Sequence, residues 1–264
     1  MLGAVYLIPV YEGTGEYFFP DGSVNPDGGP KDGMIRTPED MAWLEAMFAA
    51  GNSFGPKNMK IGKNGIWYGD YILADINGDR FYGNDADRKF YGSFNPLAFF
   101  GVDINMAWKG IDLSMNFIGA LGGVRFWKAE AYNCYAMSSP SCTFPARIAY
   151  DHYFYDPENP EDPRTNLTSK HGRVTLNYGA EQNSGVSSHW LYSTDYMKLK
   201  AVTIGYTLPK KWMKKAHMKN LRVYVSGDNL FCLTEYPGVD PEYTNYNNLY
   251  SSLRQYSLGL NLTF

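Results

Sequence analysis

From Leu97 to the end of the chain, apolar residues recur at every second position in short blocks, and each block stops where turn-forming residues begin. Ala98, Phe100, Val102, Ile104, Met106 and Trp108 share one parity, while Gly101, Asp103, Asn105 and Ala107 hold the other. A period of two marks a strand with one apolar and one polar face. After Lys109-Gly110 the pattern resumes, with Ile111, Leu113, Met115 and Phe117 set against Asp112, Ser114 and Asn116. Two strands and a two-residue link predict a tight hairpin. A third strand is predicted over 196–208, but Met197 and Leu199 lie on one parity and Val202, Ile204 and Tyr206 on the other. It needs a bulge or a change of environment near Ala201. A fourth strand alternates Leu221, Val223 and Val225 with Arg222, Tyr224, Ser226 and Asp228. A fifth alternates Tyr256, Leu258, Leu260, Leu262 and Phe264 with Ser257, Gly259, Asn261 and Thr263.

Charges and amides on the faces that would point inward reverse the dry interior of a soluble barrel and match a transmembrane one. Composition sharpens this. The chain holds 22 Tyr, 15 Phe, 6 Trp and 27 Gly, yet its mean hydropathy is −0.37. No stretch approaches the roughly 18–20 apolar residues of a membrane helix, whereas barrel strands hide their apolar residues in the alternation. The predicted fold class is all-β: an antiparallel transmembrane β-barrel segment of about five clear C-terminal strands, with long extracellular loops and one short helix. Barrels keep short turns on the periplasmic side, so Lys109-Gly110 and the Pro209–Lys215 connector are expected there, which leaves Phe264 at the periplasmic edge. About five strands fall short of the roughly eight that close a barrel, so either residues 1–95 supply extra strands or, the reading favoured, the chain is a fragment of a larger protein.

The remaining chain is less periodic. Residues 1–95, with turn clusters such as Pro20-Asp21-Gly22 and Pro26-Asp27-Gly28-Gly29-Pro30, read as an extracellular loop or upstream barrel region. One helix near 38–50 is signalled by Thr37 as N-cap, Pro38 at the first position, Glu39 and Asp40 in the first turn and Gly51 as a stop. It is expected at the surface, packed on a loop or rim. Residues 96–264 are the barrel strands, interrupted by a long loop near 121–193. Met1–Val10 has neither the basic start nor the small-residue cleavage site of a signal peptide.

Several stretches, taken in order, resemble the SusC/RagA family of TonB-linked outer-membrane transporters. They are Gly69-Asp70 leading into Asp75-Ile76-Asn77-Gly78-Asp79; Phe94-Asn95-Pro96 and Trp108-Lys109-Gly110-Ile111-Asp112-Leu113; Tyr196-Met197-Lys198-Leu199-Lys200 running into Ile204-Gly205-Tyr206-Thr207-Leu208-Pro209; Leu221–Phe231; Tyr236-Pro237-Gly238-Val239-Asp240-Pro241-Glu242; and the terminal strand. The resemblance implies the C-terminal part of a much longer importer of glycans or peptides, located in the cell outer membrane of a Bacteroidetes-like Gram-negative organism. It implies a SusD-like surface lipoprotein as a lid, energy drawn from TonB through a part this chain lacks, and no transport by this chain alone. It also implies that Tyr256, Leu258, Leu260, Leu262 and Phe264 form the signal read by the barrel-assembly machinery. A secreted or surface β-rich module binding glycans through exposed aromatics is the alternative class, and a truncated product that never assembles is a third.

The candidate chemistry is sparse. Asp75, Asn77 and Asp79 place oxygens at the first, third and fifth positions of a calcium loop. Arg80 stands where the turn glycine belongs and Ala86 where the last ligand belongs, with Asp85 and Asp87 on either side. An Asx-rich turn without metal is the competing reading. Asp103, Asn105, Asp112, Asn116, Arg222, Tyr224 and Asp228 are expected to face the lumen, as a solute path or as the ordinary polar lining of a wet interior. Arg222 is expected to pair with Asp228 or Asp112. Lys210, Lys211, Lys214, Lys215 and Lys219 form a cationic run around Trp212, which fits a membrane interface better than nucleic acid. Net charge is −3, which also gives no reason to expect a nucleic-acid partner. Cys134 and Cys142 are near enough to pair in an oxidising compartment, with free thiols the alternative. His152, His171, His189 and His217 show no metal spacing and read as loop residues, and no enzyme motif occurs.

Overall fold

The computed structural model describes residues 3–55, 59–127, 146–174, 183, 185–215, 218–242 and 252–264. Their elements run β1 (Ala4–Leu7), α1 (Pro38–Ala49), β2 (Ser53–Phe54), β3 (Phe81–Tyr82), β4 (Lys89–Ser93), β5 (Ala98–Trp108), β6 (Ile111–Leu121), β7 (Val124–Phe126), α2 (Ala146–Tyr150), β8 (Leu191–Ser193), β9 (Tyr196–Thr207), α3 (Lys210–Lys215), β10 (Asn220–Thr234) and β11 (Gln255–Thr263). Strands dominate and helices are few. The main sheet has the order β11-β10-β9-β6-β5, and β1-β4, β2-β3 and β7-β8 are small two-stranded sheets. Every neighbour in the main sheet is antiparallel. Its outermost strands, β5 and β11, have one partner each among the described residues.

The chain separates into two compact units: a strand unit of Met1–Ala4, Gly92–Arg125 and Tyr192–Phe264, and a loop unit of Val5–Tyr91 and Phe126–Leu191. The strand unit is a single layer. At Lys109-Gly110 both residues have positive φ, 50° and 89°, as a two-residue turn matched to strand twist requires. The parity break near Ala201 is a bulge. Asn116 pairs with Ala201 but Phe117 pairs with Leu199, so Lys200 is an extra residue in β9. The bulge brings Met197 and Leu199 onto the same face as Val202, Ile204 and Tyr206. A second irregularity sits beside it in β10, between Asp228 and Phe231, where Asn229 takes φ 52°.

With both bulges in place one apolar face runs unbroken across all the strands. Met106, Leu113, Ile204, Val225 and Leu258 form one row of it, and Trp108, Ile111, Tyr206, Val223 and Leu260 the next. This face is not covered: Ile204 is 56% exposed, Val225 54% and Leu258 75%. The Pro209–Lys215 connector differs from a plain link, since six of its residues wind into α3.

In the loop unit α1 packs on the loops with Pro38, Glu39, Ala42, Glu45 and Ala49 exposed, and the described loops are not without a core of their own. That core consists of Tyr11, Met34, Ile35, Met41, Trp43, Leu44, Met47, Phe54, Ile66, Tyr68, Tyr71, Ile72, Tyr82 and Tyr153. α1 is capped as expected: Thr37 accepts from the Asp40 N–H at 3.2 Å, and Asp40 accepts from the Thr37 N–H at 2.8 Å. Its inner stripe carries Trp43, Leu44 and Met47, all fully buried. Trp43 lies 5.3 Å from the Tyr11 ring, and Phe54 stacks on Tyr82 at 4.7 Å. Apart from Trp43 on α1, the core aromatics Tyr11, Phe54, Tyr82 and Tyr153 share no helical or strand period, so periodicity cannot reveal the core they build. Loop-to-loop bonds replace the ladders of regular structure, among them Tyr11 N–H to Ile72 O at 2.8 Å and Ile35 N–H to Asp70 O at 3.0 Å. Asp70 is buried at 1% exposure and takes both arms of the Arg173 guanidinium at 2.8 Å.

His189, expected to be an ordinary loop residue, is packed in this unit. Its ring lies 4.3 Å from Tyr71, 4.6 Å from Trp190 and 6.4 Å from His171. Its Nε2 is buried with no partner among the described residues. Burial, aided by the neighbouring His171, pushes the imidazole down to about 3 from an ordinary 6.5. The unfolded chain therefore binds a proton as pH falls below about 6.5 while the folded unit does not. Stability of the loop unit is expected to be whole above that pH and to fall towards pH 3, by up to about 1.4 kcal/mol per pH unit. Replacing His189 by Phe should flatten the acid limb of a urea midpoint-versus-pH curve, and an unchanged slope would refute this.

Candidate functional site

Register decides which polar side chains meet. Opposite the apolar face, Ala107, Asp112, Gly205, Tyr224 and Gly259 form one row. Asn105, Ser114, Thr203, Ser226 and Ser257 form the next, and Asp103, Asn116, Ala201, Asp228 and Gln255 a third. The structure thus places Asp103, Asn105, Asp112, Asn116, Tyr224 and Asp228 on one side of the sheet, with Arg222 beyond them beside Thr207 and Asn261. Asn116 donates to Asp103 at 2.8 Å across the hairpin.

Of the two partners expected for Arg222, Asp112 is the one it meets. Nε donates to Oδ1 at 2.9 Å, and Nη2 bonds Oδ2 in parallel. Asp228 lies farther along the same strand, about 20 Å away at roughly 3.3 Å per residue. The pair reaches over β9, which is possible because residue 205 is glycine: a Cβ there would fall 2.5 Å from Arg222 Nε and 2.6 Å from Asp112 Oδ1. The guanidinium also sits 4.9 Å over the Tyr224 ring, and that ring lies across Gly259, whose missing Cβ would be 2.2 Å from it. Fork, carboxylate and ring make a fixed polar platform able to recognise planar or hydroxylated groups.

Towards the opposite end of the same face lies a cluster that sequence reasoning missed. The bulge at Lys200 turns Lys198 to the polar side, in register with Ile118 and Cys232. Lys198 is 3% exposed and Asp240 4%. Lys198 Nζ donates to the two Asp240 oxygens at 2.7 and 2.8 Å and to Glu242 at 2.5 Å. Tyr196 donates to Glu242 at 3.2 Å, and the Ser252 hydroxyl bonds Asp240. Burial alone would push the Asp240 carboxyl up, but the bonds from Lys198, Ser252 and the Glu242 N–H outweigh it and hold it below its usual range. The cluster ties the segment after β10 back onto the sheet. Beside it opens a cavity of about 470 Å³ lined by Asn229, Phe231, Cys232, Val239, Leu253 and Arg254, among others. The signal was present in the sequence as a lysine on the polar parity followed by two acids beyond the next strand, but it becomes readable only once the bulge is placed.

The remaining candidates do not join this site. Asp75 accepts from the Gly78 and Arg80 N–H groups, and Asp79 from the Phe81 N–H and the Asn77 and Asn84 amides. Asp87 is buried and accepts from the Ile76, Gly83 and Asn84 N–H groups, while Asp85 pairs with Arg88. Asp75, Asp79 and Asp87 thus accept from the loop's own N–H groups, as the Asx-rich turn reading expects, and Asn77 donates to Asp79 within the same loop. Among the described residues no three His, Cys, Asp or Glu side chains converge as metal ligands. Cys134, Cys142 and His217 lie outside the described residues, and Cys232 is an exposed free thiol.

No family model matches the chain. In sequence it is 35% identical over 99 residues to TonB-dependent receptor P3 of Formosa agariphila, a match covering 32% of this chain and 10% of that protein. It is 29% identical over 101 residues to TonB-dependent receptor P26 of the same organism, covering 33% and 10%. In fold it is similar to the RagAB peptide importer in its open-open state, at TM-score 0.55 and 20% identity, covering 80% of this chain and 22% of that one. The RagAB peptide transporter gives TM-score 0.57 at 19% identity, covering 81% and 22%. The resemblance to TonB-linked receptors read from the sequence is borne out by these relatives, none of which is described as an enzyme. The chain spans 10% of the receptors' length and 22% of the RagAB chains.

Two outcomes follow from the site. Lys198→Met leaves the buried Asp240 and the partly exposed Glu242 without their cation and should cost about 3 kcal/mol. Adding Asp240→Asn and Glu242→Gln to that variant should restore most of it, as urea midpoints would show. Gly205→Ala should separate Arg222 from Asp112 while leaving the strand register intact; a structure of the variant retaining both bonds would contradict this.

Proposed function

We propose that this chain supplies adjacent wall strands to a TonB-dependent transporter in the outer membrane, importing glycans or peptides beneath a SusD-like surface lipoprotein. The carrying observation is the two-sided sheet, whose uncovered apolar face runs through every strand opposite a face of charges, amides and hydroxyls. A soluble domain hides the first and wets the second; a membrane barrel does the reverse. Strand length agrees: the 11 residues of β5, at roughly 3.4 Å each and a tilt near 40°, cover about 28 Å, close to the ~25 Å apolar band of such barrels.

On this reading the polar rows face the lumen, the short links Lys109-Gly110 and α3 face the periplasm, and the residues before β5 and between β6 and β9 belong to the extracellular side. β5 and β11 pair onward with further strands, because open edges in hydrocarbon cost several kcal/mol per unpaired group. Tyr256, Leu258, Leu260, Leu262 and Phe264 present the terminal strand to the assembly machinery, and TonB acts through a region outside this chain. A secreted glycan-binding module fits less well, since it would leave Val225, Leu258 and Leu260 facing water.

The two faces give opposite responses to charge. Ile204→Arg is expected to destabilise the membrane-embedded protein by about 2–4 kcal/mol, whereas its neighbour Thr203→Arg should cost well under that. Equal costs for the two, read from urea unfolding in lipid vesicles, would refute the assignment of faces. Failure of the wild-type chain to float with outer membranes would refute the transporter reading itself.

A further inference from the structure

We propose that the short-connector edge of the sheet is a docking surface for the phosphate headgroups of anionic phospholipid. The inference rests on the membrane reading above and adds a lipid class to it. Between Asp195 and Asp228 the chain has no carboxylate side chain, while Lys198, Lys200, Lys210, Lys211, Lys214, Lys215, Lys219 and Arg222 all fall there. In a protein of net charge −3 that imbalance is local. Lys198 and Arg222 are consumed by Asp240, Glu242 and Asp112. Lys210, Lys211 and Lys219 are exposed at the connector, and Lys109 is exposed at the neighbouring hairpin turn.

The connector is held in place rather than hanging free. Met213 is buried at 5% exposure, while Trp212 beside it is 62% exposed. The Lys219 N–H donates to Thr263 O at 2.8 Å, tying the end of the connector to the last strand. At the hairpin, Lys109 Nζ lies 4.6 Å over the Trp108 ring. Trp108, Tyr206 and Phe264 end the apolar face on this same side. The order along the surface is therefore aliphatic, aromatic, cationic, the order in which a leaflet presents tails, interface and phosphates.

The test uses the full chain and sealed vesicles of phosphatidylcholine, alone or mixed with phosphatidylglycerol, scored by flotation. Association is expected on both, stronger with phosphatidylglycerol, and the added strength should fade as salt shortens the screening length. Lys210→Gln with Lys211→Gln should reduce that added strength at least about tenfold, from roughly one lysine's worth of attraction each, and leave phosphatidylcholine association intact. Lys210→Arg with Lys211→Arg should keep it. Equal association with both vesicles, or a gain indifferent to the Gln pair, overturns the docking surface and spares the membrane reading. Displacement of phosphatidylglycerol vesicles by duplex DNA at equal charge overturns it in favour of nucleic acid. Absence of association with either vesicle sinks both.

Discussion

A strand has a period of two, so a sheet keeps one apolar and one polar side only if each neighbour is held in register to the residue. In the strand unit that condition is met by an irregularity. Without Lys200 as an extra residue, Met197 and Leu199 would share the face of Thr203, and Lys198 would point with Ile204 and Tyr206. The continuity of the two faces through β9 depends on this step. So does the ion cluster, because Lys198 reaches Asp240 and Glu242 only from the polar side.

The same constraint explains why the two units are built so differently. The loop unit pays for its ordering with a dry aromatic core around Trp43 and with carboxylates that satisfy backbone N–H groups. In the strand unit no second layer is seen among the described residues, and Trp108, Ile111, Ile204, Val225, Leu258 and Leu260 remain exposed. On the proposed membrane reading, hydrocarbon covers its apolar side and further strands pair with both edges. Fold similarity to the RagAB chains, of which this chain spans 22%, is consistent with such neighbours.

Alternation made the sheet legible in advance. Strand positions, the Lys109-Gly110 turn and the capped helix at Thr37 could all be read from spacing, because each is a local pattern. The parity break near Ala201 was visible too, yet a bulge and a change of environment predict the same residues, and only pairing with Asn116 and Phe117 separates them. The loop unit's core was not legible. Tyr11, Phe54, Tyr82 and Tyr153 are scattered in sequence and meet through turns. Arg222 offered two carboxylates, and the choice of Asp112 depended on Gly205 leaving a gap between strands.

The polar face is uneven along its length. At the short-connector end the charges are neutralised pairwise by Arg222 and Asp112, and the middle rows are amides and hydroxyls with the single carboxylates Asp103 and Asp228. At the other end the buried Lys198 cluster carries one cation against two carboxylates and fastens the segment after β10 onto the sheet. An ion cluster buried this deeply adds little net stability but strongly disfavours any arrangement that separates its members. Its role is therefore one of shape: it fixes the segment after β10, through Asp240 and Glu242, against the polar face. The middle rows, free of such ion ties, present amides and hydroxyls around Asp103 and Asp228.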